Sequence, residues 1–303
     1  MTAQPGIFAL GTPEHCYLEF ELRGGASAEA LVERLAGLTG PLSTVGGVNV
    51  VIGVRPSLWR SLAPADTPVD AEDWIDPIVG PDGYVMPATQ HDAWVWVSGG
   101  DRTAVFDNAR AVVSAVAPVA AIGHEVTGWL YQHDRDLTGF IDGTENPSLL
   151  EAAGVATVPE GADGAGASIV LHQIWRHDTG AWEAIGERNQ ERAMGRTKPD
   201  SIEFAEDEMP PDAHVARTSF DVDGQEQAIF RRNVAFGGVT DHGTVFVGFA
   251  RDEWRLAEML RRMAGVGDGV RCALTRYLTP ITGAYYVVPT VEALARYAPP
   301  DED

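Results

Sequence analysis

Polar and apolar residues alternate at the end of 15–22 (Leu18-Glu19-Phe20-Glu21-Leu22), the period of a half-buried strand. Helical spacing follows over 27–38, and the largely apolar run from Val48 to Val54 predicts another strand. Trp94, Trp96 and Ser98 alternate with Val95 and Val97; Ala104, Ala109, Val112 and Val116 then recur at helical spacing, predicting a helix over 103–117. The second half repeats this order, with a strand over 169–175, a helix over 181–194 and strands over 228–234 and 244–249. In the helix predicted over 252–264, Leu256, Met259, Leu260 and Met263 form one apolar stripe for a sheet to cover. The best-matching pieces of the two halves run from Trp94 to Arg102 and from Val245 to Asp252. Each half supplies about four strands and two helices in an order compatible with a β-α-β-β-α-β unit. The expected class is α+β, two tandem duplicated ferredoxin-like domains with antiparallel sheets, over 1–135 and 136–303. Between the halves, Val158 to Ser168 is rich in Gly, Ala and Asp and reads as a flexible surface loop.

A chain of 303 residues suits two domains, and 45% apolar with 22% charged residues lacks the bias of collagen-like, disordered or coiled-coil sequences. Charge narrows the partners. With 44 acidic against 22 basic residues the net charge is −22, a field that repels phosphate backbones and anionic lipid surfaces. Neither nucleic acid nor a membrane is expected. Lys198 is the sole lysine and follows Thr197, so no phosphate-cradling Gly-Lys loop exists. Cys16 and Cys272 form no C-x-x-C pair and no disulfide framework, which fits a reducing compartment. The N-terminus lacks a basic segment followed by an apolar run, and no stretch approaches roughly 18 uninterrupted apolar residues. A cytoplasmic, unprocessed chain is expected.

Candidate chemistry concentrates in a few segments. None of the eight histidines sits in H-E-x-x-H, and no G-x-S-x-G elbow is present, which sets aside zinc-protease and α/β-hydrolase chemistry. The segment His133 to Pro147 is the densest. As a calcium loop it places Asp134, Asp136, Gly139 and Glu145 at positions one, three, six and twelve, with Ile141 at eight. Thr138 breaks the match at position five. Its context is also wrong, because Trp129-Leu130-Tyr131 reads as strand and Asn146-Pro147 starts no regular helix. Within it, Gly139-Phe140-Ile141-Asp142-Gly143 is a G-x-x-D-G turn whose glycines let backbone approach a ligand at which the aspartate points. The structural alternative is an Asx-turn closed by Asp142.

Downstream stand Ala213-His214-Val215-Ala216-Arg217-Thr218 and Glu226-Gln227-Ala228-Ile229-Phe230-Arg231-Arg232-Asn233-Val234-Ala235-Phe236-Gly237. Together with Thr138 to Pro147 and Gly195-Arg196-Thr197-Lys198, they resemble the dye-decolorizing peroxidases of the bacterial B-type group. The likeness spans nearly the whole chain, includes Leu10-Gly11-Thr12-Pro13-Glu14-His15, and is strongest from 124 to 250. It implies the duplicated ferredoxin-like fold with one non-covalent haem b in the C-terminal half. His214 would be the proximal iron ligand, its other ring nitrogen donating to an acceptor that raises its basicity, the place of Glu226. The opposite face would carry Asp142, Arg231 and Asn233. A carboxylate there can move a proton between the two peroxide oxygens, and a guanidinium can stabilise charge on the departing one. Arg232 stands where the family often has an acidic residue, which alters local charge near the haem edge. Gly143 and Thr144 are implied in haem binding, and Arg196 and Lys198 as partners of the propionates. Trp175, Trp182 and Tyr131 are either core residues or relays of oxidising equivalents to the surface.

The implied activity is reduction of hydrogen peroxide at the expense of dyes, phenolic compounds or Mn(II), by a homo-oligomer. A non-catalytic haem carrier, store or sensor is the alternative; the intact distal set favours an enzyme, since storage needs no proton shuttle. Some relatives are packaged into protein shells through a C-terminal extension, for which Tyr297 to Asp303 is too short and acidic.

Overall fold

The computed structural model describes residues 1–38, 47–132 and 135–299. The N-terminal half runs β1 (Glu14–Leu22), α1 (Ala28–Ala36), β2 (Val48–Val54), α2 (Pro56–Leu62), a small hairpin of β3 (Ile78–Val79) and β4 (Val85–Met86), β5 (Ala93–Gly99), α3 (Arg102–Val116) and β6 (Ala120–Trp129). The C-terminal half begins with α4 (Leu149–Ala156), β7 (Ser168–His177), α5 (Thr179–Ala184), α6 (Glu187–Met194) and α7 (His214–Thr218). It continues through a hairpin of β8 (Asp221–Val222) and β9 (Gln225–Glu226), then β10 (Phe230–Gly237), β11 (His242–Ala250), α8 (Glu253–Met263), β12 (Leu278–Pro280), β13 (Ala284–Val288) and α9 (Val291–Ala295).

The internal repeat is visible in the sheet. The N-terminal strands lie in the order β6-β1-β5-β2 and the C-terminal ones in the order β13-β7-β11-β10, so each half reads fourth, first, third, second, all antiparallel. This is the duplicated ferredoxin-like arrangement expected. The matching pieces of sequence end in equivalent helix caps: Asp101 accepts from the Ala104 N–H to start α3, and Asp252 from the Arg255 N–H to start α8. The two sheets join edge to edge, β6 with β10 and β2 with β13, closing eight strands into a ring.

Both faces of these strands are covered, which is why β5 and most of β7 are buried along their length and read as continuous rather than alternating runs. Tyr17, Trp94, Trp96, Phe249 and Tyr286 fill the inside of the ring. The helices pack outside against a second apolar cluster that includes Leu31, Leu35, Val112, Leu256 and Leu260.

Three expectations change. The helix predicted over 181–194 is two, α5 and α6, because Gly186 adopts φ +73° between them. Pro147 does not prevent a helix; one residue later Ser148 and Glu151 form a capping box that starts α4. The loop from Val158 to Ser168 is held rather than free. Val158 and Ala167 exchange backbone hydrogen bonds with neighbours inside it, and the Gly164 N–H donates to Ala65 O of the other half at 2.9 Å.

Candidate active site

Residues two apart on a strand share a face, so Arg231 and Asn233 project from β10 toward the helices while Arg232 turns to the other side. There the Arg232 guanidinium stacks 4.6 Å from the Phe230 ring centroid and donates to Ala9 O at 3.3 Å. Its charge therefore lies across the sheet from the candidate site, and burial pushes it down to about 10. Asn146 fixes the Arg231 backbone from outside the sheet. It accepts from Arg231 N–H at 2.9 Å and donates to Arg231 O at 2.8 Å, as a neighbouring strand would.

The loop carrying Asp142 is shaped by Gly139 and Gly143, at φ +89° and +75°. A Cβ on Gly139 would lie 2.7 Å from Lys198 Cε, which the flexible lysine could yield, so it is the left-handed backbone that favours glycine there. The Asx-type turn is made by Asp136, whose Oδ1 accepts from the Thr138 N–H at 2.8 Å. Asp142 is thereby left for Asn233, whose Nδ2 donates to its Oδ1 at 3.0 Å. Burial, with the Asp142 carboxylate nearby, pushes Asp136 up to about 6.

His214 opens α7 from the other wall. Its Nδ1 lies 3.6 Å from the Cys272 sulfur, which leaves Nε2 free of any hydrogen-bond partner among the described residues. Burial, with the cations of Arg231 and Arg196, pushes the ring down to about 4, so it is neutral at neutral pH. Glu226 sits exposed on the β8–β9 hairpin and lines the same cavity, but it makes no hydrogen bond to His214. The side chain beside that ring nitrogen is the Cys272 thiol.

These groups meet around one cavity between the C-terminal half-sheet and the helices outside it. Asp142, Gly143, Thr144, Arg231 and Asn233 line it together with His214. Much of the remaining wall is apolar, from Phe246, Met194, Met259, Leu260, Met263 and Leu274. Gln173 Nε2 is buried there without a partner, a donor left for something the cavity holds. A neutral imidazole nitrogen, a broad apolar wall and unspent polar groups fit an iron porphyrin.

The two cations expected at the propionates differ. Arg196 lines the cavity but is engaged by Glu145 at 2.6 Å, Glu203 at 2.9 Å and the Thr144 hydroxyl at 3.1 Å. Lys198 is outside the lining, its Nζ donating to Gln190 at 2.6 Å. Glu145 is thus committed to Arg196, and Asp134, the first position of the calcium reading, lies outside the described residues. Among the described residues no three acidic, histidine or cysteine side chains converge to hold a metal ion. Trp175 and Trp182 are buried, the latter donating to Thr138 O at 3.0 Å, and Tyr131 packs edge-on to the half-exposed Trp129.

Three contributors escape sequence reasoning. Asn146 lies inside the motif but offers no sign of its clamp. Gln173 interrupts an apolar run, which is a signal. Cys272 carries none, since a lone buried cysteine reads as core.

Comparison with known proteins identifies the family. Residues 133–293 match the model of the Dyp-type peroxidase C-terminal family. A dye-decolorizing peroxidase of Brevibacterium linens is 32% identical over 93% of this chain and 79% of its own. The DyPB structure from Rhodococcus jostii RHA1 superposes with a TM-score of 0.90 at 30% identity, over 96% of this chain and 97% of that one. A variant of that protein in complex with heme superposes at 0.87 and 30% identity, over 94% and 95%. No helix among the described residues is long and apolar enough to cross a membrane. The chain belongs to the dye-decolorizing peroxidase family.

Proposed function

We propose that this haem peroxidase works with His214 as the iron ligand and with Asp142, Arg231 and Asn233 as the groups that act on peroxide. The observation that carries this reading is the convergence of all four on one cavity from separate elements, the sheet, the glycine-bounded loop and α7. The haem, when bound, supplies the redox chemistry by which one peroxide and two protons take two electrons from two donor molecules, giving two waters.

The protein's contribution is to protons and charge. Asp142 accepts the proton from one peroxide oxygen and delivers it to the other, so that the departing oxygen leaves as water. Asn233, holding Asp142 Oδ1 at 3.0 Å, keeps that carboxylate aimed. The Arg231 guanidinium opposes the charge that grows on the departing oxygen, and its backbone is fixed by Asn146. Gly143, Thr144 and Glu226 line the cavity that would hold the porphyrin. Arg196, which lines the cavity beside Thr144, would pair with a propionate in competition with its ion pairs to Glu145 and Glu203.

Substrates implied by the family likeness are dyes, phenolic compounds or Mn(II). A net charge of −22 opposes anionic dyes, so their turnover rises as acid neutralises carboxylates; a rate profile peaking above neutrality would contradict this. Two buried free cysteines support a cytoplasmic setting. A homo-oligomer rests on the likeness alone.

The test is an absorption spectrum of haem-reconstituted protein before and after one equivalent of hydrogen peroxide. His214→Ala is expected to lose the histidine-ligated Soret band. Arg231→Ala and Asp142→Asn should keep it but respond to peroxide about 10²-fold more slowly or worse. Haem binding with an unhurried response in native protein and variants alike would indicate a carrier.

A further inference from the structure

We propose that His177 and Thr244 form a proton-conducting pair, which carries protons from a surface pocket along the outer face of the sheet into the cavity. The inference rests on the peroxidase reading and deepens it. The need is one of balance. Peroxide brings two hydrogens, enough for the water that leaves when Asp142 moves a proton between the oxygens. The second water takes two further protons, and these must enter from outside.

Three observations carry the route. Thr244 lines the cavity from β11, two residues before Phe246, which pairs across the sheet with Asn233. It therefore stands on the wall that bears the groups acting on peroxide. His177, two residues beyond Trp175 and on the same face of β7, lines a separate pocket with Thr179, His242 and Thr279. Asp178, Gly180, Val239 and Thr240 around that pocket are exposed, so it opens to solvent. The two linings share no residue, and one hydrogen bond spans them: His177 Nε2 lies 2.9 Å from Thr244 Oγ1.

The neighbours leave His177 to this task. His242 is committed at both ring nitrogens, to the Thr179 hydroxyl at 2.6 Å and to Gly238 O at 2.9 Å. Arg176 pairs with Asp241 at 2.8 Å, and Asp178 caps α5 by accepting from the Ala181 N–H at 2.9 Å. No partner of His177 Nδ1 appears among the described residues, which leaves that nitrogen to water in the pocket. Burial, with His242 beside it, pushes the His177 ring down to about 4. It is thus neutral at neutral pH, with one N–H and one bare nitrogen, and can accept at one end while donating at the other. A hydrated proton of the pocket binds Nδ1 as Nε2 passes its own to Thr244 Oγ1, and the hydroxyl proton of Thr244 moves into the cavity. One proton enters and one leaves, and the ring ends neutral. Rotation of the ring and of the hydroxyl then restores the starting arrangement.

Stopped-flow spectra of the haem-loaded full chain separate the two phases. The response to peroxide needs no outside proton and should stay within about twofold of native in Thr244→Val and His177→Ala. Return to the resting spectrum, driven by ferrocyanide, which gives electrons without protons, is expected to slow at least about tenfold in both. Added imidazole should restore His177→Ala but not Thr244→Val, and Thr244→Ser, which keeps the hydroxyl, should return within about threefold of native. A native return rate in Thr244→Val overturns the inference and leaves the peroxidase reading intact. Slowing that neither imidazole nor Thr244→Ser relieves overturns it too, because a merely structural defect behaves so. Native protein with no peroxide response would overturn the underlying reading. Should the variants not bind haem, nitrogen-15 NMR of the haem-free chain with labelled histidines decides. The His177 ring, assigned by its loss in His177→Ala, is expected to stay neutral down to about pH 4, with an Nε2 signal that moves on Thr244→Val. An unmoved signal overturns the contact.

Discussion

At Arg231 a side chain does the work of a strand. β10 pairs with β11 along its length, but with β6 only through Ala235 and Phe236, so the outer edge at Arg231 would face no partner. Asn146 fills that edge with one donor and one acceptor. Asn146→Ala strands both backbone groups, a cost of about 1–3 kcal/mol where water cannot enter, and lets the guanidinium drift from the site. The expected result is a peroxide response in stopped-flow spectra slowed about tenfold, some 1.4 kcal/mol in barrier, with haem binding kept. A rate within about twofold of native would count against the clamp. The same residue marks how far sequence reaches at this scale. His214, Asp142, Arg231 and Asn233 are legible because each stands in a contiguous motif, and strand period puts Arg231 and Asn233 on one face without any structure. Cys272 is not legible: its partner lies 58 residues away, and proximity of that kind exists only after folding.

Elements were readable where burial is one-sided or complete, and misread where a cap or a single glycine decides. The strands at 48–54 and 168–177 follow from their apolar runs and the stripe of α8 from period. The break at Gly186 and the start of α4 depend on local hydrogen bonds that period cannot see. The start of α8 adds a contact from the other half. Asp70 Oδ2 accepts from the Glu253 and Trp254 N–H groups at 2.8 and 3.2 Å, and Glu253 Oε2 accepts from the Glu72 N–H at 2.7 Å. Burial, with Asp70, Glu72 and Asp73 nearby, pushes Glu253 up to about 8. Folded protein thus keeps a proton that the unfolded chain has already lost, from the usual carboxylate range up to that value. Stability contributed by this group is full below the window and falls as pH rises through it, by at most about 1.4 kcal/mol per pH unit. Glu253→Gln holds the neutral form throughout. Urea denaturation of both proteins between about pH 5 and about pH 8 should show native stability dropping relative to the variant; parallel curves would refute it.

Two half-sheets become one ring only if their edges meet, and the seams are short. Between β2 and β13 a single pair, Val54 with Val287, is in register. Extending that antiparallel register by two residues would set Ile52 against Pro289, but there the strands part. The buried Gln4 amide enters the gap: its Oε1 accepts from the Ile52 N–H at 2.8 Å, and its Nε2 donates to Ile52 O at 2.9 Å and to Pro289 O at 3.0 Å. One side chain from the N-terminal segment thus stands in for the missing peptide unit and satisfies three backbone groups that would otherwise lie orphaned at the seam. No hydrophobic pattern predicts this, because Gln4 reads as an ordinary polar residue near a chain end. Gln4→Ala should leave the Ile52 N–H without a partner, at about 1–3 kcal/mol, read as a lower urea midpoint with unchanged slope. Because the C-terminal half-sheet forms one wall of the candidate active site, the variant should also bind haem with native spectra while folded, separating closure of the ring from assembly of the site. Haem loss at temperatures well below unfolding would instead mean that the seam supports the cavity directly.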